Sequence, residues 1–163
     1  MSIMIDAITP LVVLLIVLAV LLRRTSAGVA VIALLAGVML DQLLSAWIIA
    51  AIPAQSGAVQ LYVEVVVHLL VTFAPMGVAL GMVRTTRKSV VLSLLTSLLL
   101  GFLVVYFGLK ILAPIPALTK QVNNAGLVTF LNPYQNYILS IAAILAIIAM
   151  ALDHRKAVDK KDK

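Results

Sequence analysis

The stretch LVVLLIVLAVLL, Leu11 to Leu22, is twelve consecutive apolar residues. A helix exposed to water on one face would interrupt such a run with polar residues every third or fourth position. Extended back to Ser2, the run reaches the roughly 20 residues that a helix rising ~1.5 Å per residue needs to cross the hydrocarbon of a bilayer. Its start has two readings, since Thr9-Pro10 has the form of a cap followed by proline at a first helical position.

The rest of the chain repeats this character. Of 163 residues, 64% are hydrophobic and 11% charged, and the mean hydropathy is +1.21. A soluble domain is about half apolar and about a quarter charged, so too few charges are present to cover a water-facing surface. This excludes an ordinary soluble enzyme, a disordered tail and a nucleic-acid-binding domain, despite a net charge of +6. There is no cysteine, which removes disulfides and thiolate metal sites. The first run lacks the basic start and small-residue cleavage site of a signal peptide and is expected to stay in the mature protein.

Four more segments qualify as spans, giving an all-α polytopic bundle of five helices at about 2–22, 27–52, 59–83, 89–113 and 133–152. The bundle is expected to occupy 1–152 and a basic tail 153–163. Asn132 and Pro133 read as the cap and first position of the fifth helix. In a second reading the second span ends near Asp41, and LLSAWIIAAI (43–52) lies along the interface as an amphipathic segment. The loop between Pro114 and Gln135 carries a turn signal at Asn123-Asn124-Ala125-Gly126 and is expected to fold back onto the membrane surface.

Arg23, Arg24, Arg84, Arg87, Lys88, Arg155, Lys156, Lys160, Lys161 and Lys163 are ten of the twelve Lys and Arg, and all fall on one side of this arrangement. The positive-inside bias makes that side cytoplasmic, with the N-terminus outside and the C-terminus inside. Trp47, Tyr62, Tyr106, Tyr134 and Tyr137 then fall near the outer interface. The tail is expected to bind anionic headgroups.

Helices in lipid associate through small residues and interhelical hydrogen bonds. Ser89, Ser93, Ser97 and Gly101 line one face of the fourth span, Gly77 and Gly81 mark the third, and Ala33 and Gly37 the second. They are expected to pack helices within the chain, with a sliding contact or a homodimer seam as the alternative.

Asp41, Glu64, His68 and Lys110 are the ionisable residues of the second to fourth spans. Counted from the basic residues, they stand ~25, ~30, ~24 and ~33 Å above the cytoplasmic side. A charge at mid-bilayer costs about 3 kcal/mol and normally faces the protein interior or a watery cavity. Two readings follow. In one, Glu64 and Lys110 sit in interfacial water, Asp41 begins a loop and His68 is a satisfied core histidine. In the other, the four residues, with Gln42 and Tyr106 in range, line an outward vestibule for an ion, a proton or a small polar ligand. Pro75, deeper on the third span, removes an amide donor and is expected to act as a hinge. Glu64 and His68 are spaced as two metal ligands on a helix, but no third ligand of the right type lies nearby, so no metal is expected. Haem would want a second axial ligand, and His154 lies on the side opposite His68, so no cofactor is expected. No catalytic motif is present, and no enzymatic activity is expected.

Ile5-Asp6 before the first span, the short basic turn Arg23-Arg24, and the link Arg84 to Lys88 followed by Ser89, Ser93, Ser97 and Gly101 resemble the small multi-pass proteins of the colicin V production (CvpA-like) family over roughly the first 110 residues. That family has spaced glycines where this chain has serines, and this chain adds a fifth span. Residues Ala36 to Asp41 are also similar to a piece of the rod-shape MreD family. The CvpA-like resemblance implies a bacterial inner-membrane protein linked to secretion or envelope homeostasis and carries over no catalytic residue. The expected function is a non-catalytic component of envelope homeostasis, secretion or membrane-complex assembly. Its expected partners are the lipid bilayer and either other membrane proteins or a second copy of itself. The alternative is a transporter or channel subunit using the outer polar site.

Overall fold

The computed structural model describes residues 2–22, 26–53, 57–82 and 90–158. Ser89, the basic turns Arg23-Arg24 and Arg84 to Lys88, and Lys160, Lys161 and Lys163 lie outside the described residues. Every regular element among the described residues is helical. The long helices are α1 (Ser2–Leu22), α2 (Ala27–Ala51), α3 (Gly57–Met82), α4 (Val90–Leu112) and α7 (Gln135–Val158). The short helices α5 (Pro116–Asn123) and α6 (Gly126–Leu131) and a 3-10 turn, Asn132–Tyr134, join α4 to α7. Five segments are long and apolar enough to cross a membrane, which fits a multi-pass helical membrane protein.

The boundaries have local causes. Pro10 lies inside α1, and the helix runs through it from Ser2; the Thr9 hydroxyl donates to the Ile5 carbonyl (2.9 Å) instead of capping a new start. The second helix does not stop near Asp41. It continues to Ala51, and the Ile52 amide closes it by donating to the Ile49 carbonyl (3.2 Å) just before Pro53. Asn132 is not the cap expected for the fifth span. The chain stays helical from α6 through the 3-10 turn, so Asn132 has helical dihedrals in place of the extended ones of a cap. At the other end, α7 passes Leu152 and runs to Val158, into the segment expected as tail.

The helix α2 sits at the centre, touching α3, α4 and α7, while α1 packs mainly on α4. Ala30, Val31 and Leu34 of α2, Leu100 and Leu103 of α4, and Ala142 and Ala146 of α7 form the common core. Burying these groups away from lipid gains little hydrophobic free energy, so close approach of backbones has to hold the bundle.

Three glycines supply that approach. A Cβ on Gly37 would overlap the Thr72 carbonyl of α3. One on Gly101 would lie 3.0 Å from Val13 Cγ1 of α1, and one on Gly28 would lie 3.0 Å from the Ala146 carbonyl of α7. Ser93 and Ser97 are buried in α4 beside Thr96. The Ser97 hydroxyl donates to the Ser93 carbonyl (2.6 Å), whereas the Ser93 hydroxyl is buried without a partner among the described residues. Ala33 is only half-buried.

Gly77 and Gly81 correct the expectation of packing within the chain. Both are exposed, and a Cβ at either would meet nothing within 4 Å. The cause is the placement of α3, the least buried of the five long helices. It leans on α2 along one face and leaves its other face bare. Pro75 lies within an α3 that stays helical from Gly57 to Met82.

The connection from α4 to α7 folds onto the bundle end. The Thr119 hydroxyl donates to the carbonyls of Ala113 (2.8 Å) and Ile115 (2.9 Å), fastening the Pro114-Ile115-Pro116 corner. Val122, Ala125 and Val128 are buried against Ile5, Leu109, Ala113 and Leu118. Gly126 N–H donates to Asp6 Oδ1 of α1 (2.9 Å). The α5–α6 pair is thus a cap seated on α1 and α4.

Candidate functional site

Gly37, Asp41 and Ser45 follow at four-residue intervals and so share one face of α2. His68 and Thr72 do the same on α3, which runs antiparallel to α2. The backbone contact of Gly37 with Thr72 sets the register, and one turn farther along, His68 Nδ1 and Asp41 Oδ1 stand 2.7 Å apart. The two groups share one hydrogen bond, its direction set by the imidazole tautomer. The Asp41 side chain is 19% exposed and that of His68 36%, so the carboxylate is tucked into the helix contact while the imidazole reaches its edge. Ser45 is buried, and its hydroxyl donates to the Asp41 carbonyl.

A second polar set joins α4 to α7. Lys110 Nζ donates to Gln135 Oε1 (2.8 Å). The buried Tyr106 hydroxyl donates toward the same oxygen (3.1 Å) and lies 3.4 Å from Asn132 Oδ1. Lys110 Nζ also stands 5.5 Å from the centroid of the Tyr106 ring, within reach of a cation–π attraction.

The six candidate residues therefore separate. Asp41 meets His68, and Tyr106 meets Lys110, but no hydrogen bond or ion pair among the described residues joins the two sets. Glu64 belongs to neither: its Oε1 accepts from Gln60 Nε2 (3.3 Å) on its own helix. Gln42 is exposed and unpartnered among the described residues. Of the four ionisable groups only Asp41 and His68, expected at nearly the same depth, come together; Glu64, one turn farther along α3, bonds within its own helix, and Lys110 bonds to Gln135. No group of three or more His, Asp or Glu among the described residues could hold a metal ion.

Asn132 and Gln135 are the polar residues that the sequence reading passed over as a cap and a loop end. The signal available was their position: two amides opening the last helix, at the depth already assigned to Lys110 and Tyr106.

Each set does the same mechanical work. A hydrogen bond between spanning helices in lipid is worth on the order of 0.6–2 kcal/mol, and each of these draws on a group whose isolation in hydrocarbon would be costly. Asp41–His68 fastens α3 to the centre, and Lys110–Gln135–Tyr106 fastens α7 to α4. No protein family, curated protein or solved structure was found to match the chain.

Proposed function

We propose that this protein is a small, non-catalytic membrane component that acts by associating with other membrane proteins or with a second copy of itself. The observation that carries this reading is the division among the glycines. Gly28, Gly37 and Gly101 are consumed by contacts inside the bundle, whereas Gly77 and Gly81 stand one turn apart on the bare face of α3 with nothing against them. Two glycines at this spacing let a second helix approach closely. The pairing of the polar residues supports the same reading, since Asp41, His68, Tyr106 and Lys110 are engaged in joining helices.

The chain is placed with its N-terminus outside and its C-terminus in the cytoplasm, on the strength of the ten basic residues gathered on one side. The CvpA-like resemblance supports a bacterial inner membrane and a role in envelope homeostasis, secretion or assembly. The test is to replace Gly77 and Gly81 by Leu in the full chain and to follow association by chemical cross-linking in native membranes. The expected result is loss of cross-linked species with insertion and thermal stability retained; unchanged cross-linking overturns the reading.

A second reading, a transporter or channel subunit, is favoured by Asp41–His68, an ionisable pair inside the spans with a half-exposed imidazole. It requires Asp41→Asn or Glu64→Gln to abolish flux in reconstituted vesicles while the protein still inserts.

A further inference from the structure

The helices α1 and α4 touch where Val13 meets Gly101. From there toward the cap they leave a cavity of about 290 Å³ between them. Ile5, Ile8 and Val12 form one wall, and Val104, Gly108 and Leu112 the other. Gly108 opens the wall by lacking a side chain, since a Cβ there would meet nothing within 4 Å. The Val13–Gly101 contact makes the lower end. The upper end lies under the α5–α6 cap, whose Val122, Ala125 and Val128 pack on Ile5 and Leu109. The side remains open.

We propose that this slot binds one acyl chain of a glycerophospholipid from the surrounding bilayer. Three features point to that occupant. The slot offers no free polar group: its one hydroxyl, on Thr9, is already bonded to the Ile5 carbonyl (2.9 Å). Water therefore has nothing to hold it there, and a polar ligand has nothing to orient it. The slot also has the direction and length of a lipid tail. From Val104 to Leu112 it follows α4 for ~12 Å, most of the ~15 Å hydrocarbon depth of a single leaflet. Finally, it runs along the helices from beside the Val13–Gly101 contact toward the α5–α6 cap, a narrow strip that suits one extended chain and not the helix of a partner. Its volume is close to the lower end of small-molecule pockets, about 300 Å³. The inference rests on the chain being embedded in a bilayer; it does not depend on α3 or on any protein partner.

The experiment uses the full chain reconstituted in phosphatidylcholine–phosphatidylglycerol vesicles, with a trace of phosphatidylcholine spin-labelled near the end of one acyl chain. Electron spin resonance counts the motionally restricted lipids per protein. Gly108→Leu fills the slot from a position with room for the added atoms; Ala46→Leu places a leucine side chain at an exposed position of α2 and serves as the control. The slot predicts one restricted lipid fewer in Gly108→Leu than in wild type and no change in Ala46→Leu. Equal counts in wild type and Gly108→Leu overturn it, as does an equal loss in the control. Native mass spectrometry after detergent extraction gives a second reading of the same variants. Wild type should retain one phospholipid that Gly108→Leu has lost, and retention of detergent alone overturns the proposal. If the chain instead stayed dispersed in buffer without detergent or lipid, the bilayer placement itself would fail, an outcome distinct from both of these.

Discussion

Among the described glycines, Gly37 has the tightest surroundings, against Thr72. A methyl group at Gly37 would strike backbone, which cannot swing aside as a flexible side chain can. Gly37→Ala should therefore cost about 2–3 kcal/mol, the upper range for overpacking. Gly77→Ala, with open space around it, should stabilise the isolated chain by ~0.5–1 kcal/mol through helix propensity alone. Reversible unfolding in mixed micelles measures both, and a similar effect at the two sites would contradict the arrangement of α2 and α3. Asp41 and His68 belong to the same scale. A double-mutant cycle with Asp41→Ala and His68→Ala should give a coupling of about 1 kcal/mol, as interhelical hydrogen bonds in membranes do. A coupling near zero would mean that the 2.7 Å contact does not fasten α3.

At the scale of elements, the α5–α6 cap is a small part held by few attachments, whereas α3, though the most exposed long helix, packs closely on α2. The cap depends on three buried apolar residues and on the bond from Gly126 N–H to Asp6. Asp6→Ala leaves that amide without its acceptor and should weaken the seating of α5–α6 by about 1 kcal/mol. The expected sign is faster proteolysis at the exposed Asn123-Asn124 turn, with the five long helices retaining their circular dichroism. What the sequence disclosed divides along the same line. Long apolar runs identify spanning helices because crossing hydrocarbon demands length and little else. Which side of each helix meets a neighbour was not legible. Gly37 and Gly77 look alike in sequence, as short gaps in apolar runs, and only the neighbour of α3 distinguishes them. Depth could be counted along each helix, so Asp41 and His68 were expected at one level and do meet. Lys110 was counted farther out, and it joins Gln135 instead.

For the whole molecule, sidedness is the property most open to direct test. With no native cysteine, single introduced thiols report which face they occupy. Asn124 is exposed on the cap, so Asn124→Cys should react with an impermeant maleimide added to intact cells. Ala125, its neighbour, is buried and would mislead. Thr86→Cys, in the basic link, should react only after the membrane is opened. The reverse pattern would invert the placement of the termini.

The pairing of Asp41 with His68 also bears on how the chain is made. Asp41 leaves the ribosome before His68, so α2 enters the insertion machinery carrying a carboxylate whose counterpart has not yet been translated. A lone α2 would face the cost of that carboxylate in hydrocarbon, on the order of 3 kcal/mol. Release of α2 and α3 together, as a helical hairpin already closed by the Asp41–His68 bond, avoids that cost. A nascent chain truncated before His68 should accordingly leave α2 incompletely integrated, and restoring α3 should complete its entry.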